Sequence, residues 1–230
     1  MTTLGILGAG QVGSTLARAA IAAGYDIVIA NSRAPESLAS LVRSLGPSAR
    51  AAWSADAAAA ADLAFLAFPY VPGHTLLTDA LAGKVVLDNN NYMPWRDGHF
   101  PDVDAGRKTV HELRQEQLPG AQLAQAFSHI QFHGRQPVRA PGDELPALLR
   151  LARPVGAPDR TALAVSSDYP EAVEVVTRLY DDLGFDAVDS SPLHESWRSA
   201  PGTPAWERSF DGQTRDELVR NLRLAQRPRA

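Results

Sequence analysis

A glycine motif close to the start of the chain constrains its fold more than any other feature. Three glycines with the spacing G-x-G-x-x-G stand between an apolar run over 3–7 and a run with helical spacing over 11–23. The first glycine permits a tight turn, the second leaves room for a pyrophosphate beside the backbone, and the third allows close packing of helix on strand. The free N–H groups at the start of the helix would then face the phosphates. We therefore predict a dinucleotide site made by Gly8, Gly10, Gln11, Val12 and Gly13; the alternative is a glycine turn that binds nothing.

Apolar runs typical of strands alternate with helical patterns through the first ninety residues. The strand-like runs cover 3–7, 26–30, 49–53, 63–68 and 84–88, and the helical runs cover 11–23, 35–45, 55–61 and 75–81. Such alternation implies right-handed crossovers and a parallel sheet with helices on both faces. The sequence therefore predicts an α/β fold with a Rossmann-type, doubly wound, mostly parallel sheet.

The end of the second strand indicates which dinucleotide is bound. NAD-specific sites usually carry Asp or Glu about 20 residues after the motif, where the acid holds the ribose hydroxyls. This chain has Asn31, Ser32 and Arg33 there and no acid. A hydroxyl and a guanidinium bind a 2′-phosphate that a carboxylate would repel, so we predict NADP as the cofactor. The alternative is that Ser32 only caps the next helix and that Arg33 is only solvated.

Two further strand ends are expected in the same crevice, because ligands of open α/β sheets lie beyond the carboxyl ends of the strands. The fourth strand ends near Phe68 and Pro69, and the fifth is followed by Asn89 and Asn90. We expect these four residues to line the ribose and the nicotinamide, although successive asparagines also suit a plain turn.

The pattern changes after residue 88, where long loops are predicted over 89–108 and 190–212. The other elements are helices over 109–117, 144–152 and 170–183, strands over 121–127, 161–166 and 185–188, and a last helix from the capping-box pair Thr214 and Glu217 to Pro228. An antiparallel extension of the sheet is expected near 161–188. We divide the chain into an NADP-binding Rossmann domain (1–127) and a C-terminal substrate and dimerisation region (128–230), a short α/β extension packed on it. A homodimer is the expected assembly.

Composition excludes several classes of function. The chain has 22 basic and 26 acidic residues and no basic stripe, so nucleic-acid binding is not expected. The absence of cysteine removes disulfides, thiolate metal sites and cysteine nucleophiles. His129 and His133 are not expected to bind a metal, because Gly134 and Pro137 argue against a helix that presents both. No apolar run reaches the ~18 residues of a membrane span, and no basic segment precedes the first strand. We therefore expect a cytoplasmic protein with no membrane partner.

Five segments, occurring in this order, resemble the NADP oxidoreductases that depend on the deazaflavin coenzyme F-420. They are residues 5–13, 31–33, 67–69, 126–130 and 184–193. The resemblance implies transfer of a hydride between NADP and the deazaflavin. It also implies that Ser32 and Arg33 contact the 2′-phosphate and that Ala126 and its neighbours border the nicotinamide. The segment over 184–193 would lead to the subunit contact and the deazaflavin pocket, and the resemblance ends after Leu193.

Two other functions stay open at this point. Reduction of a carbonyl or an imine needs a proton donor, and His129, at a strand end on the expected cofactor side, is the candidate for that catalytic role. The same fold could instead hold NADP without catalysis, as a sensor or as a subunit of a larger complex. For an enzyme, we expect the loops over 89–108 and 194–210 to close over the nicotinamide and to exclude water, with a small molecule or the deazaflavin as the second substrate.

Overall fold

The computed structural model describes residues 1–74 and 76–227. The expected helix start at Thr75 and the expected helix end at Pro228 lie outside these residues. The strands are β1 (Thr3–Leu7), β2 (Asp26–Ala30), β3 (Ala49–Ala51), β4 (Leu63–Leu66), β5 (Val85–Asp88), β6 (Gln122–Gln125), β7 (Ala162–Ser167) and β8 (Asp186–Asp189). The α-helices are α1 (Gln11–Ala22), α2 (Ala39–Leu45), α3 (Ser54–Ala60), α4 (Thr78–Leu81), α5 (Pro94–Asp97), α6 (Pro101–Asp104), α7 (Val110–Gln117), α8 (Ala147–Arg150), α9 (Pro170–Asp182), α10 (Pro204–Glu207) and α11 (Arg215–Leu224).

The eight strands form one sheet in the order β3-β2-β1-β4-β5-β6-β7-β8. Strands β1 to β6 are parallel to one another, β7 pairs antiparallel with β6, and β8 runs parallel to β7. The predicted fold class is therefore confirmed, including the antiparallel extension. The chain reverses its strand order between β1 and β4, which is where open α/β sheets bind their ligands.

Alternate residues of the strands face two helical layers. Ile6 and Ile29 belong to a core beneath α1 and α9, whereas Leu7 and Val28 belong to a second core on the opposite face of the sheet. The first core continues without a break from β1 to β7 and α9, on both sides of residue 127. The division of the chain at residue 127 stays a prediction.

The structure differs from the sequence prediction mainly in the two long loops. The first contains α5 and α6, and the second contains a 3-10 helix over Leu193–Ser199 followed by α10. Three of these four short helices begin at a proline, at Pro94, Pro101 and Pro204. Proline is favoured at the first helical position because its φ angle already fits and its missing N–H has no partner there. Pro94, Pro101 and Pro204 therefore begin short helices within the two segments that were predicted to be loops.

Candidate active site

The three motif glycines differ in the space that a side chain would find at each position. At Gly8, where φ is +114°, an added Cβ would lie 2.7 Å from the carbonyl oxygen of Ala67 on the neighbouring strand end. At Gly13 an added Cβ would overlap the carbonyl of Gly8. At Gly10 an added Cβ would meet no atom within 4 Å. Gly8 and Gly13 are therefore required by the packing of the protein itself, and the space beside Gly10 is the space that a pyrophosphate needs.

The start of α1 offers hydrogen-bond donors that no side chain occupies. Gly10 is the N-cap, no side chain caps the helix, and the first turn contains no acid. Gln11 is exposed and Val12 is half-buried. The first backbone N–H groups of a helix have no partner within it, and the positive end of its dipole favours an anion. This end of α1 therefore fits a phosphate group.

The turn after β2 exposes Ser32 and Arg33. The Asn31 side chain organises this turn, because its Oδ1 accepts a hydrogen bond from the Arg33 backbone N–H at 2.8 Å and its Nδ2 donates to Ser37 Oγ at 3.1 Å. The next helical turn has Ala34 as its N-cap, so the alternative role of Ser32 as a helix cap is wrong. Within the described residues, the Arg33 guanidinium makes no ion pair. Asn31 orders this turn, and Ser32 and Arg33 are exposed in it; the cofactor contacts of all three residues stay predictions.

The ends of β4 and β5 are joined by a buried arginine. The Arg114 guanidinium, in α7, donates from Nη2 to the Phe68 carbonyl oxygen at 3.2 Å and lies 5.0 Å from the centre of the Phe68 ring. Its Nε lies 3.4 Å from Asp88 Oδ2, and Asp88 Oδ1 accepts from the Asn90 backbone N–H at 3.1 Å. Arg114 therefore fixes the two strand ends relative to each other. Sequence reasoning missed this residue.

The remaining predicted residues at these strand ends differ in exposure. Pro69 is exposed, Asn89 is half-buried and Asn90 is buried. The side chain of the following Asn91 donates to the Ser128 carbonyl oxygen at 2.8 Å, which ties the end of β5 to the chain after β6. The cofactor contacts of Phe68, Pro69, Asn89 and Asn90 stay predictions.

The structure does not support the roles expected of Ala126 and His129. Ala126 has no exposed surface and belongs to the core, so it offers nothing for a cofactor to contact. His129 is also buried; its Nε2 accepts from the Ala164 backbone N–H at 2.9 Å, and its Nδ1 lies 3.4 Å from Gln213 Nε2. Burial lowers the pKa of His129 to about 4. His129 is therefore a neutral structural residue and is withdrawn as the proton donor.

His129 lies against β7 and not on the expected cofactor side because the backbone turns at the end of β6. Phe127 has a φ angle of 58°, in the left-handed region that residues other than glycine rarely adopt. Its backbone N–H donates to Tyr180 Oη at 2.8 Å, and that hydroxyl donates to the Ala164 carbonyl oxygen at 3.0 Å. The turn leads the chain toward β7, so His129 contacts that strand.

A cavity of about 420 Å³ lies beyond the end of β5, between the two long loops. One wall is built by residues of the 89–108 loop and by the start of α7, and the other by residues of the segment over 196–202. The aromatic stacking of Tyr92 on Phe100, with ring centres 4.9 Å apart, helps to order the first loop. The lining is Asn90, Asn91, Tyr92, Met93, Pro94, Trp95, Val103, Asp104, Gly106, Lys108, Thr109, Val110, His111, Ser196, Trp197, Ala200, Pro201, Gly202 and Arg227.

The cavity contains a buried histidine that sequence reasoning did not single out. His111 is 4% exposed, its Nδ1 lies 3.0 Å from Ser196 Oγ, and its Nε2 has no hydrogen-bond partner. Burial lowers the pKa of His111, opposed in part by the carboxylate of Asp88. The capping box of Thr109 and Glu112 starts α7 next to the end of β5, which places His111 in the first turn of that helix. In the sequence, the capping pair of Thr109 and Glu112 was the only feature that indicated where His111 lies.

Other kinds of site find no support in the described parts of the chain. Over 1–74 and 76–227, no three His, Asp or Glu side chains converge as metal ligands would. None of the helices described is both long and apolar enough to cross a bilayer.

Comparison with known proteins agrees with this architecture. A hypothetical protein of Sinorhizobium meliloti has a solved structure with a TM-score of 0.68 and 30% identity; the alignment covers 89% of this chain and 93% of that one. A structure from Arthrobacter sp. FB24, provisionally described as an F420-dependent NADP reductase, has a TM-score of 0.65 at 22% identity, with 84% and 86% coverage, and shows the shared fold.

Sequence comparison finds relatives that match part of the chain. The Escherichia coli (strain K12) protein YjhV is 39% identical over 74 residues, which are 32% of this chain and 52% of that protein. Residues 3–92, which contain the glycine motif, the turn after β2 and the ends of β4 and β5, match the family described as NADP oxidoreductase, coenzyme F420-dependent. This match covers 90 of the 230 residues, so the N-terminal part of the chain is similar to that family.

Proposed function

We propose that the protein binds NADP(H) across the ends of β1, β2 and β4 and transfers a hydride between it and a second substrate held in the 420 Å³ cavity. One observation carries this proposal: the empty space beside Gly10 and the cavity lie at the same edge of the same sheet. Strand β5, which leads into the cavity, is two positions from β1, which leads into the glycine loop. Neighbouring strands are about 4.8 Å apart, so one extended dinucleotide can reach from one region to the other.

The residues of this chain would bind and orient the cofactor. The backbone N–H groups at the start of α1 would bind the pyrophosphate, and Ser32 and Arg33 would bind the 2′-phosphate. Bound NADPH supplies the hydride. The loops on either side of the cavity would exclude water from the reacting groups, which such transfer requires.

Because of the family description, the deazaflavin F-420 is the compound to test first as the second substrate. The cavity volume lies within the usual range of small-molecule sites, about 300–1,000 Å³. Transfer between a nicotinamide and a deazaflavin depends chiefly on placing two rings at close range. A homodimeric assembly and a cytoplasmic location stay predictions from the sequence.

The experiment measures binding and turnover separately. Calorimetric titration of the purified protein with NADPH and NADH should give the tighter binding for NADPH. Addition of oxidised F-420 to protein and NADPH should then cause loss of the deazaflavin absorbance band. NADPH binding without oxidation by F-420 or by carbonyl acceptors would support the non-catalytic alternative, and absence of NADPH binding would overturn the proposal.

A further inference from the structure

We propose that Trp53 binds the adenine ring of NADP(H) by stacking its indole on one face of the base. This inference rests on the proposed function, for which it names the residue that holds the adenine end of the cofactor. Trp53 lies two residues after the end of β3 and is 55% exposed. The argument needs its position relative to the turn after β2, the direction of the cofactor along the sheet and the surroundings of the indole.

The pairing of β3 with β2 places Trp53 beside the turn that follows β2. Ile29 and Ala51 are register partners in this parallel pair. The hydrogen bonding continues past the end of β3, because the Ala52 backbone N–H donates to the Ile29 carbonyl oxygen at 3.1 Å. Two residues further along each strand, the same register brings Trp53 opposite Asn31. Neighbouring strands are about 4.8 Å apart, so the backbones of these two residues lie close together.

A second hydrogen bond holds the chain on the other side of Trp53 to the same turn. Ser54 Oγ donates to the Asn31 carbonyl oxygen at 3.3 Å. Asn31 begins the turn that exposes Ser32 and Arg33, which we expect to bind the 2′-phosphate. The backbone before and after Trp53 is therefore fixed to this turn, beside which the ribose with the 2′-phosphate would lie.

The strand order gives the direction of the cofactor along the sheet. The cavity lies beyond the end of β5, the glycine loop follows β1, and the turn for the 2′-phosphate follows β2. A dinucleotide with its nicotinamide at the cavity and its pyrophosphate at the glycine loop therefore has its adenosine ribose at the end of β2. The adenine is attached to that ribose and is the far end of the molecule. The next strand end in that direction is the end of β3, where Trp53 lies.

The alternation of side chains puts Trp53 on the same face of the sheet as Asn31. Ala49 of β3 and Ile29 of β2 belong to the first core, and Ala51 packs against it. The backbone of Trp53 is still extended, with φ −63° and ψ 151°. Because side chains two residues apart in a strand share a face, Trp53 continues the row of Ala49 and Ala51, and Asn31 continues the row of Ile29.

The described part of the protein gives the indole of Trp53 no other evident task. Trp53 is the N-cap of α3, but its side chain makes no capping hydrogen bond. Across 1–74 and 76–227, no aromatic ring and no arginine stacks on this indole. Tryptophan is well buried on average in proteins. A flat, exposed indole beside a nucleotide site suits a base, because every base has a π face and stacking needs no particular hydrogen-bond pattern.

The test uses 2′,5′-ADP, which has the adenine and the 2′-phosphate of NADPH but no nicotinamide. Calorimetry measures binding of 2′,5′-ADP, NADPH and NADH to the wild type, Trp53→Ala and Trp53→Phe, and thermal unfolding checks that each variant is folded. Trp53→Phe keeps a smaller aromatic face. Trp95→Ala is the control, because it removes another strongly exposed tryptophan, which lines the cavity expected to hold the nicotinamide end.

We expect Trp53→Ala to weaken binding of all three ligands by roughly five- to a hundredfold, the usual contribution of a base stacked on an aromatic side chain. The loss should be the same for NADPH and NADH, since both contain the adenine, so the preference for NADPH stays unchanged. Trp53→Phe should lose less, and Trp95→Ala should bind 2′,5′-ADP as the wild type does. Addition of 2′,5′-ADP should quench tryptophan fluorescence in the wild type but not in Trp53→Phe.

Other results would separate the two proposals. Wild-type affinity for 2′,5′-ADP in Trp53→Ala, or quenching that persists in Trp53→Phe, would overturn this inference. A loss for NADPH and 2′,5′-ADP that spares NADH would also overturn it, because Trp53 would then only support the 2′-phosphate site. A wild-type protein that binds neither NADPH nor 2′,5′-ADP would instead overturn the proposed function. The fluorescence of Trp53→Phe decides the matter if Trp53→Ala does not fold.

Discussion

Asp88, the last residue of β5, and Arg114 of α7 form an ion pair in which both side chains have no exposed surface, with 3.4 Å between Nε and Oδ2. Arg114 also donates to the Phe68 carbonyl at the end of β4 and to Gln117 Oε1 at 3.2 Å. The pair therefore lies beneath the crevice and joins two adjacent strand ends to the helix that carries His111.

Removing one member of this pair should destabilise the protein strongly. Arg114→Met leaves the Asp88 carboxylate buried without its cation, which typically costs about 3–5 kcal/mol. The double variant Asp88→Asn/Arg114→Met has no charge left to bury and should recover much of that loss. Urea unfolding of the wild type and both variants measures the free energies. An Arg114→Met protein as stable as the wild type would mean that the pair contributes only to the shape of the site.

Arg33 should determine the preference for NADPH over NADH. Charge-assisted hydrogen bonds are worth about 1.5–3 kcal/mol each, so Arg33→Ala should weaken NADPH binding by roughly ten- to a hundredfold. NADH lacks the 2′-phosphate and should bind with almost unchanged affinity. Arg43→Ala is the matched control, because it removes another exposed arginine, in helix α2, which follows the turn that contains Arg33. Equal losses for both cofactors would show that Arg33 stacks on the adenine without binding the phosphate.

A side chain at Gly10 should abolish dinucleotide binding without harming the fold. The φ angle of Gly10 is −74°, which valine also adopts, and its Cβ position is open. Gly10→Val therefore fills only the space expected to hold the pyrophosphate. Calorimetry with NADPH and thermal unfolding of the same variant measure the two effects. Unchanged NADPH affinity would move the cofactor away from this loop.

His129 should make the protein less stable as the pH falls. Its pKa is about 4 in the folded protein and about 6.5 in the unfolded chain, so between these values the unfolded chain binds more protons. Stability is therefore lost as the pH falls through this window. From pH 7 to pH 5 the loss due to His129 should be about 2 kcal/mol.

The variant His129→Gln provides the comparison, because its Oε1 can still accept from the Ala164 N–H but does not titrate. Urea unfolding at pH 7 and pH 5 should show a smaller loss for this variant than for the wild type. Identical losses would mean that the pKa of His129 is the same in the folded protein as in the unfolded chain. His111, whose pKa is also lowered by burial, contributes in the same direction to both proteins.

Sequence reasoning located the elements that follow from local patterns. The glycine motif, the apolar strands and the capping box of Thr214 and Glu217 depend on neighbours in the chain, and the structure has them as expected. Arg114 and His111 could not be found in this way. Their burial depends on contacts with Phe68, 46 residues away, and with Ser196, 85 residues away.

The misassigned histidine has a related cause. Reading His129 as a residue on the cofactor side assumed that the chain continues straight past the end of β6. The left-handed conformation of Phe127 is held by Tyr180, 53 residues further along, and no local pattern announces it. Burial raises the pKa of Tyr180, so its hydroxyl stays protonated and keeps both hydrogen bonds.

The continuous sheet limits how this chain can be shortened or recombined. A fragment that stops where the family match stops, at residue 92, would end just after β5 and lose both β6 and Arg114. The edge of β5 would then lie open to pairing with other molecules, and Asp88 would lack its cation. Exchanging the C-terminal part between relatives therefore requires that the incoming segment restore β6, β7 and the buried arginine together.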